Sequence, residues 1–200
     1  MNKMYTRSGG LTLVFPALAL PLASVAQSDA ELIAQAVRPL PADLQAGAAV
    51  FRYDEQTGER IVLRTGSNHV ECHPRDATGF TRCFPVTDGP RRDFIARMSA
   101  QGMAGDELQA AVDEAITSGS IKPREFGSIS YRLYDEDDRI QLLWIVYLPN
   151  ATSDVMGMSA ASQRDNALAG QGMPWMMLEG TPGAHLMIAI NGTALFNQPN

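Results

Sequence analysis

The sequence predicts a single α+β domain, a mainly antiparallel sheet with two helices packed on one face. Three observations carry this. Short runs rich in β-branched and aromatic residues alternate with Gly, Pro and Asp turns, a helical stretch interrupts them in the middle, and strand-like runs resume in the last third.

The elements follow in order. Residues 28–46 read as a short helical lead-in broken by Pro39 and Pro41. Ala48–Tyr53 and Arg60–Thr65 are strand-like and joined by an acidic turn containing Gly58, a hairpin signal. Extended pieces are expected at Asn68–Cys72 and Phe80–Phe84. Asp88 suits a helix cap and Pro90 a first turn, with Phe94, Ile95 and Met98 at helical spacing behind them. A second helix from about Asp106 carries Leu108, Ala111, Val112, Ala115 and Ile116 as one apolar stripe. Ser128–Tyr134 alternates, with Ile129, Tyr131 and Leu133 on one face and Ser130 and Arg132 on the other. Ile140–Leu148 is nearly continuous in apolar residues and reads as a central strand covered on both faces. Between them, Asp135-Glu136-Asp137-Asp138 lacks calcium-loop spacing and reads as a solvated turn. Residues 150–172 turn to Ala, Ser, Gly, Gln and Met, a long loop or weak helix. Pro174–Leu178 and His185–Asn191 read as the last two strands.

Residues 1–26 have the pattern of a signal peptide. Lys3 and Arg7 precede an apolar run from Leu11 to Leu22, and Ser24-Val25-Ala26 offers small residues for cleavage after Ala26. That run falls short of the ~20 residues a membrane span needs and contains Pro16 and Pro21. Residues 27–200 are therefore expected to be one periplasmic or secreted domain with no membrane span in the mature form. Of 16 basic residues, Lys3 and Arg7 leave with the segment, so 14 face 22 acidic ones and the mature net charge is −8. Such an excess of negative charge argues against nucleic acid as a partner.

The two cysteines, Cys72 and Cys83, are expected to pair in an oxidising compartment. Their 12-residue loop would stabilise the fold by ~3 kcal/mol on chain-entropy grounds. They lack the Cys-x-x-Cys spacing that tunes a redox pair.

If residues 69–73 are extended, His69, Glu71 and His73 share one face. Together with His185 they suggest a transition metal, zinc or copper, although the spacings of known metal motifs are missing. The bland reading makes His69 and His73 surface residues and His185 a sheet residue with a hydrogen bond. Met156, Met158, Met173, Met176, Met177 and Met187 crowd the last third, a pattern favouring core filling over copper handling. Serine-hydrolase elbows, His-Glu-x-x-His and phosphate-cradling glycine loops are absent from the sequence, and Glu125 and Glu179 have no evident carboxylate partner.

Arg64-Thr65-Gly66-Ser67-Asn68 leads to Cys72-His73-Pro74, Cys83 follows, and Met173-Pro174-Trp175-Met176-Met177 precedes Gly180-Thr181-Pro182-Gly183-Ala184-His185. Together these stretches resemble an uncharacterised family of exported bacterial proteins to which no activity attaches. The resemblance implies that the Arg64–Pro74 and Trp175–His185 segments belong to one shared feature.

The expected function is binding of a small molecule or a partner protein, and the missing motifs lean against an enzyme. Arg64, Asn68, Trp175 and His185 are the candidate ligand-binding residues, with the pocket near the Cys72–Cys83 loop and residues 150–172 as wall or lid. The alternative is a metal-binding protein or metal-dependent enzyme using His185 with His69 or His73. No cofactor is demanded by the sequence, and it does not set an oligomeric state.

Overall fold

A computed structural model of the chain describes residues 27–135, 140–169 and 172–191. The signal-peptide segment and residues 136–139 of the acidic turn lie outside the described residues, as do positions 170 and 171 of the Gly-rich loop. Eight strands form one sheet: β1 (Ala49–Tyr53), β2 (Arg60–Arg64), β3 (Val70–His73), β4 (Phe80–Pro85), β5 (Ile129–Tyr134), β6 (Leu142–Tyr147), β7 (Trp175–Met177) and β8 (His185–Asn191). Their spatial order is β2-β1-β3-β4-β5-β6-β8-β7. Every pairing is antiparallel except β1 with β3, because the chain leaves the β1–β2 hairpin and returns on the far side of β1.

The helices do not keep to one face. On the first face, α1 (Asp29–Ala36) and α2 (Ala42–Gln45) close the sheet. Ala36, Val37 and Leu40 pack there with Val50, Val70, Cys72, Cys83 and Tyr131. Ser28 begins α1 with a capping box, accepting from the Glu31 amide while the Glu31 carboxylate accepts from the Ser28 amide. On the second face lies α3 (Gly89–Ala100), and α4 (Gly105–Thr117) packs on α3 through Val112, Ala115, Ile116, Phe94 and Ile95. The sheet is mainly antiparallel as expected, but helices lie on both of its faces instead of a pair on one: the lead-in covers the first, and α3, with α4 packed on it, the second.

Asp88 occupies the cap position of α3 without a side-chain capping bond. Its buried carboxylate instead faces the Arg124 guanidinium at 3.6 Å. Gly58 brings the hairpin turn onto α3: its φ is +71°, and a Cβ there would lie 2.6 Å from the backbone of Ala96 and Arg97.

In β6, Leu143, Ile145 and Tyr147 are buried on the second face, while Leu142, Trp144 and Val146 are half-buried on the first. Cover on that side is thinner because α1 and α2 sit over β1, β3 and β4. Residues 150–169 carry two one-turn helices, α5 (Ser153–Met156) and α6 (Arg164–Leu168). They are stitched to the β7 edge by backbone bonds from Met176 to Ser159 (3.0 Å), Gly180 to Ala151 (2.8 Å) and Asn150 to Thr181 (2.8 Å). Among the described residues no helix is long and apolar enough to cross a membrane.

Cys72 and Cys83 are direct cross-strand partners in β3 and β4, bonded with their Cα atoms 4.0 Å apart and both fully buried. Replacing both by Ala should lower the unfolding free energy by about 3 kcal/mol, read as a lower urea midpoint with an unchanged far-UV spectrum. An unmoved midpoint would show that strand pairing alone holds β3 to β4.

Candidate functional site

The second face is built from side chains of opposite parity to the core. Where Val70 and Cys72 point to the apolar face, Glu71 and His73 point away from it, as the two-residue period of a strand requires. Arg60 of β2 reaches across to Glu71 with two bonds of 2.8 and 2.9 Å and also meets Asp93 of α3. The Tyr53 hydroxyl donates to the same Asp93 oxygen at 2.8 Å. Burial pushes the Glu71 carboxyl above its ordinary value against the pull of Arg60, and burial with the Asp93 bond pushes the Tyr53 phenol up.

His73 sits inside an aromatic ring of neighbours, with centroids 4.1 Å from Phe51, 5.1 Å from Tyr53 and 6.0 Å from Phe84. Burial, then the charges of Arg92, Arg60 and Arg82, drive its pKa down to about 2. It is a neutral imidazole at any physiological pH.

Further along the same face, His73, Arg82, Arg132, Leu143 and Ala189 form one row across β3, β4, β5, β6 and β8. Arg82 and Arg132 are therefore directly opposite each other, an arrangement that like charges disfavour. Both guanidinium groups lie against the Phe80 ring, at 4.9 and 5.1 Å from its centroid, and Arg92 of α3 lies 3.9 Å from the Phe84 ring. Arg82 has a carboxylate, Asp76 at 2.7 Å. Burial and the charge of Arg82 lower the Arg132 pKa to about 10, and burial lowers that of Arg92.

Two clefts open on this face and share Phe80. The larger, about 700 Å³, has Trp175, Met177, Met187, Leu143 and Ile140 as walls, with Arg132 and Glu179 among its lining and Ala160, Ser162 and Arg164 along one rim. The smaller, about 450 Å³, is bounded by Tyr53, His73, Arg82 and Arg92 together with Arg52 and Asp76. Gly172 lets the rim segment close down, since a Cβ there would lie 2.5 Å from that of Ala167.

Trp175 thus lines the larger cleft, and His185 shares its face on the adjoining strand, opposite Met177. The His185 Nδ1 lies 2.7 Å from the Gly183 carbonyl, which sets the ring as a donor there. Burial lowers its pKa. Arg64 and Asn68 are elsewhere. Arg64 donates to the carbonyls of Ala48 and Gln45, and Asn68 to that of Leu44, so both satisfy the open C-terminal carbonyls of α2. The two segments that the resemblance joined are far apart in the sheet, since three strands separate β3, which lies in the first, from β8, where the second ends. The bridge, expected beside the pocket, is buried on the first face under α1.

The expected histidine ligands are not brought together. Three strands separate β3 from β8, placing His73 and His185 about 19 Å apart across the sheet. His69 is exposed on the bend before β3. One ion cannot bridge these imidazoles. Among the described residues no three His, Cys, Asp or Glu side chains gather as metal ligands.

No protein-family model, curated protein or solved structure matches the chain. Sequence reading passed over Phe80, Arg82, Arg92 and Arg132. For Arg82 and Arg132 a signal was present: an Arg in mid-strand with aromatic residues nearby, in an acidic chain that has few cations to spare, whereas Arg92 of α3 gave none.

Because the His73 pKa falls from 6.5 to about 2 on folding, the unfolded chain alone holds that proton between these values. Stability should therefore drop as pH falls below about 6.5, by up to about 1.4 kcal/mol per unit from this residue. A His73→Phe variant should lose that slope relative to the unaltered protein in urea unfolding between about pH 6.5 and 4. Parallel slopes for the two proteins would contradict a buried neutral imidazole.

Proposed function

We propose that this is an exported, non-catalytic binding protein that holds a small, mainly apolar molecule in the cleft beside Trp175. That cleft is the observation carrying the reading. Its volume of about 700 Å³ lies in the range of small-molecule sites, and its walls are mainly aromatic, thioether and branched aliphatic groups, with Arg132, Arg164 and Glu179 as its charged members. Methionine side chains adapt to irregular ligands, which suits Met177 and Met187 here. A small molecule is favoured over a protein partner because the cleft has a rim, at residues 160–164, opposite the sheet floor. Export rests on the signal-like segment and on the buried disulfide.

Binding is favoured over catalysis by what the titratable groups are committed to. Glu71 is engaged by Arg60, His73 is neutral among aromatic rings, and His185 donates to a backbone carbonyl. Glu179, a carboxylate lining the larger cleft, is likewise taken up, accepting from the Ser153 amide and hydroxyl.

Titration with the neutral apolar fluorophore N-phenyl-1-naphthylamine should give saturable one-to-one binding. In a Trp144→Phe background, Trp175 emission should change in parallel. Met177 is 40% exposed and lines the cleft, so Met177→Glu should leave the melting temperature nearly unchanged. The same variant should weaken binding by about tenfold or more, as a carboxylate must then be desolvated by an apolar ligand. Absence of saturation, or equal affinity in this variant, removes the reading.

A further inference from the structure

Arg82, Arg92 and Arg132 are half-buried on one face, where two of them are direct cross-strand partners on the shared Phe80 ring. The carboxylate that pairs directly with this group is Asp76, already occupied by Arg82, by the Thr78 and Phe80 amides and by the Thr78 hydroxyl, and Glu55 also lines the smaller cleft. The next carboxylate, Asp88, faces Arg124 at 3.6 Å, and Arg91 and Arg92 also feel its charge. No carboxylate among the described residues pairs with Arg92 or Arg132, and the Nε atoms of Arg82 and Arg92 are buried without an acceptor. Half-buried cations in excess are costly unless an anion completes them.

Position narrows the chemistry. Arg132 opens into the apolar cleft, Arg82 and Arg92 into the smaller one, and Phe80 belongs to both. A monocarboxylate brings a single charge and fits one guanidinium fork, whereas a phosphate monoester brings two charges and enough oxygens for several forks. We infer that the junction of the two clefts is the head-group site for a phosphate monoester whose apolar tail occupies the Trp175 cleft, with Arg82, Arg92 and Arg132 as the oxyanion donors. This inference rests on the binding function proposed above and adds the charged class of the ligand.

Calorimetric titration of the purified protein with octyl phosphate, octanol and inorganic phosphate tests both steps separately. Octyl phosphate should bind about tenfold or more tightly than either of the others. If it binds no better than octanol, the arginine site is overturned while the apolar cleft stands. If it binds no better than inorganic phosphate, the tail lies outside the cleft and the joint site fails together with the function proposed for the cleft. Arg132→Met should bring octyl phosphate to within about twofold of octanol measured on the same variant. Equal advantage in the variant overturns the role of Arg132. Should that variant fail to fold, the unaltered protein decides: octyl phosphate affinity should fall several-fold from about 0.05 to about 0.5 M NaCl while octanol affinity does not. A salt-independent octyl phosphate affinity overturns the site. Sedimentation with phosphatidic acid vesicles separates a free amphiphile from a membrane surface. Binding of octyl phosphate without vesicle binding is expected, and vesicle binding without octyl phosphate binding overturns the assignment.

Discussion

The contact on which the second face depends is the one Arg60 makes with Glu71 and Asp93. It joins an edge strand, an inner strand and a helix through a single guanidinium: Arg60 projects from β2, Glu71 from β3 and Asp93 from α3. The planar fork of arginine allows two parallel bonds to Glu71 while its Nε serves Asp93, which a lysine could not do. With Tyr53 also bonded to Asp93, α3 is held against β1, β2 and β3 by polar contacts as well as by burial. The remaining arginines of the face inherit their positions from this docking. Arg92, one residue before Asp93, is turned onto the Phe84 ring, and Arg82 lies against the Phe80 ring that both clefts share.

The two faces of the sheet therefore do different work. The first is an apolar core closed by α1, α2 and the Cys72–Cys83 bridge, and Arg64 and Asn68 serve it by capping the end of α2. The second carries the charge, the aromatic rings and both clefts. The bridge contributes to the second face only indirectly: it lies between Glu71 and His73, whose side chains emerge on the other side of the sheet, and so holds the strand that presents them.

Much of the secondary structure was legible because its signals are local. The alternation of Ile129-Ser130-Tyr131-Arg132-Leu133 predicts a strand, and the apolar stripe of Leu108, Val112 and Ala115 predicts a helix packed on one side. Trp175, singled out because a large aromatic beside Met and Pro in a short strand stands out in composition, lines the larger cleft. The histidine cluster was misleading for a physical reason. Shared parity along residues 69–73 is a local property, whereas the separation of His73 from His185 depends on how many strands come between them.

By itself the sequence determined the signal-like segment, the cysteine pair, the mixed α+β class and most strand and helix positions, since each rests on neighbours within about a dozen residues. Strand order was decided only in three dimensions. It placed β2 and β7 at opposite edges, set Arg132 directly opposite Arg82, and put the lead-in helix on the face opposite α3. The reason is that side-chain parity along a strand is set within that strand, but what faces it is set by elements fifty or more residues away, and charge in a half-buried site has meaning only once those neighbours are in place.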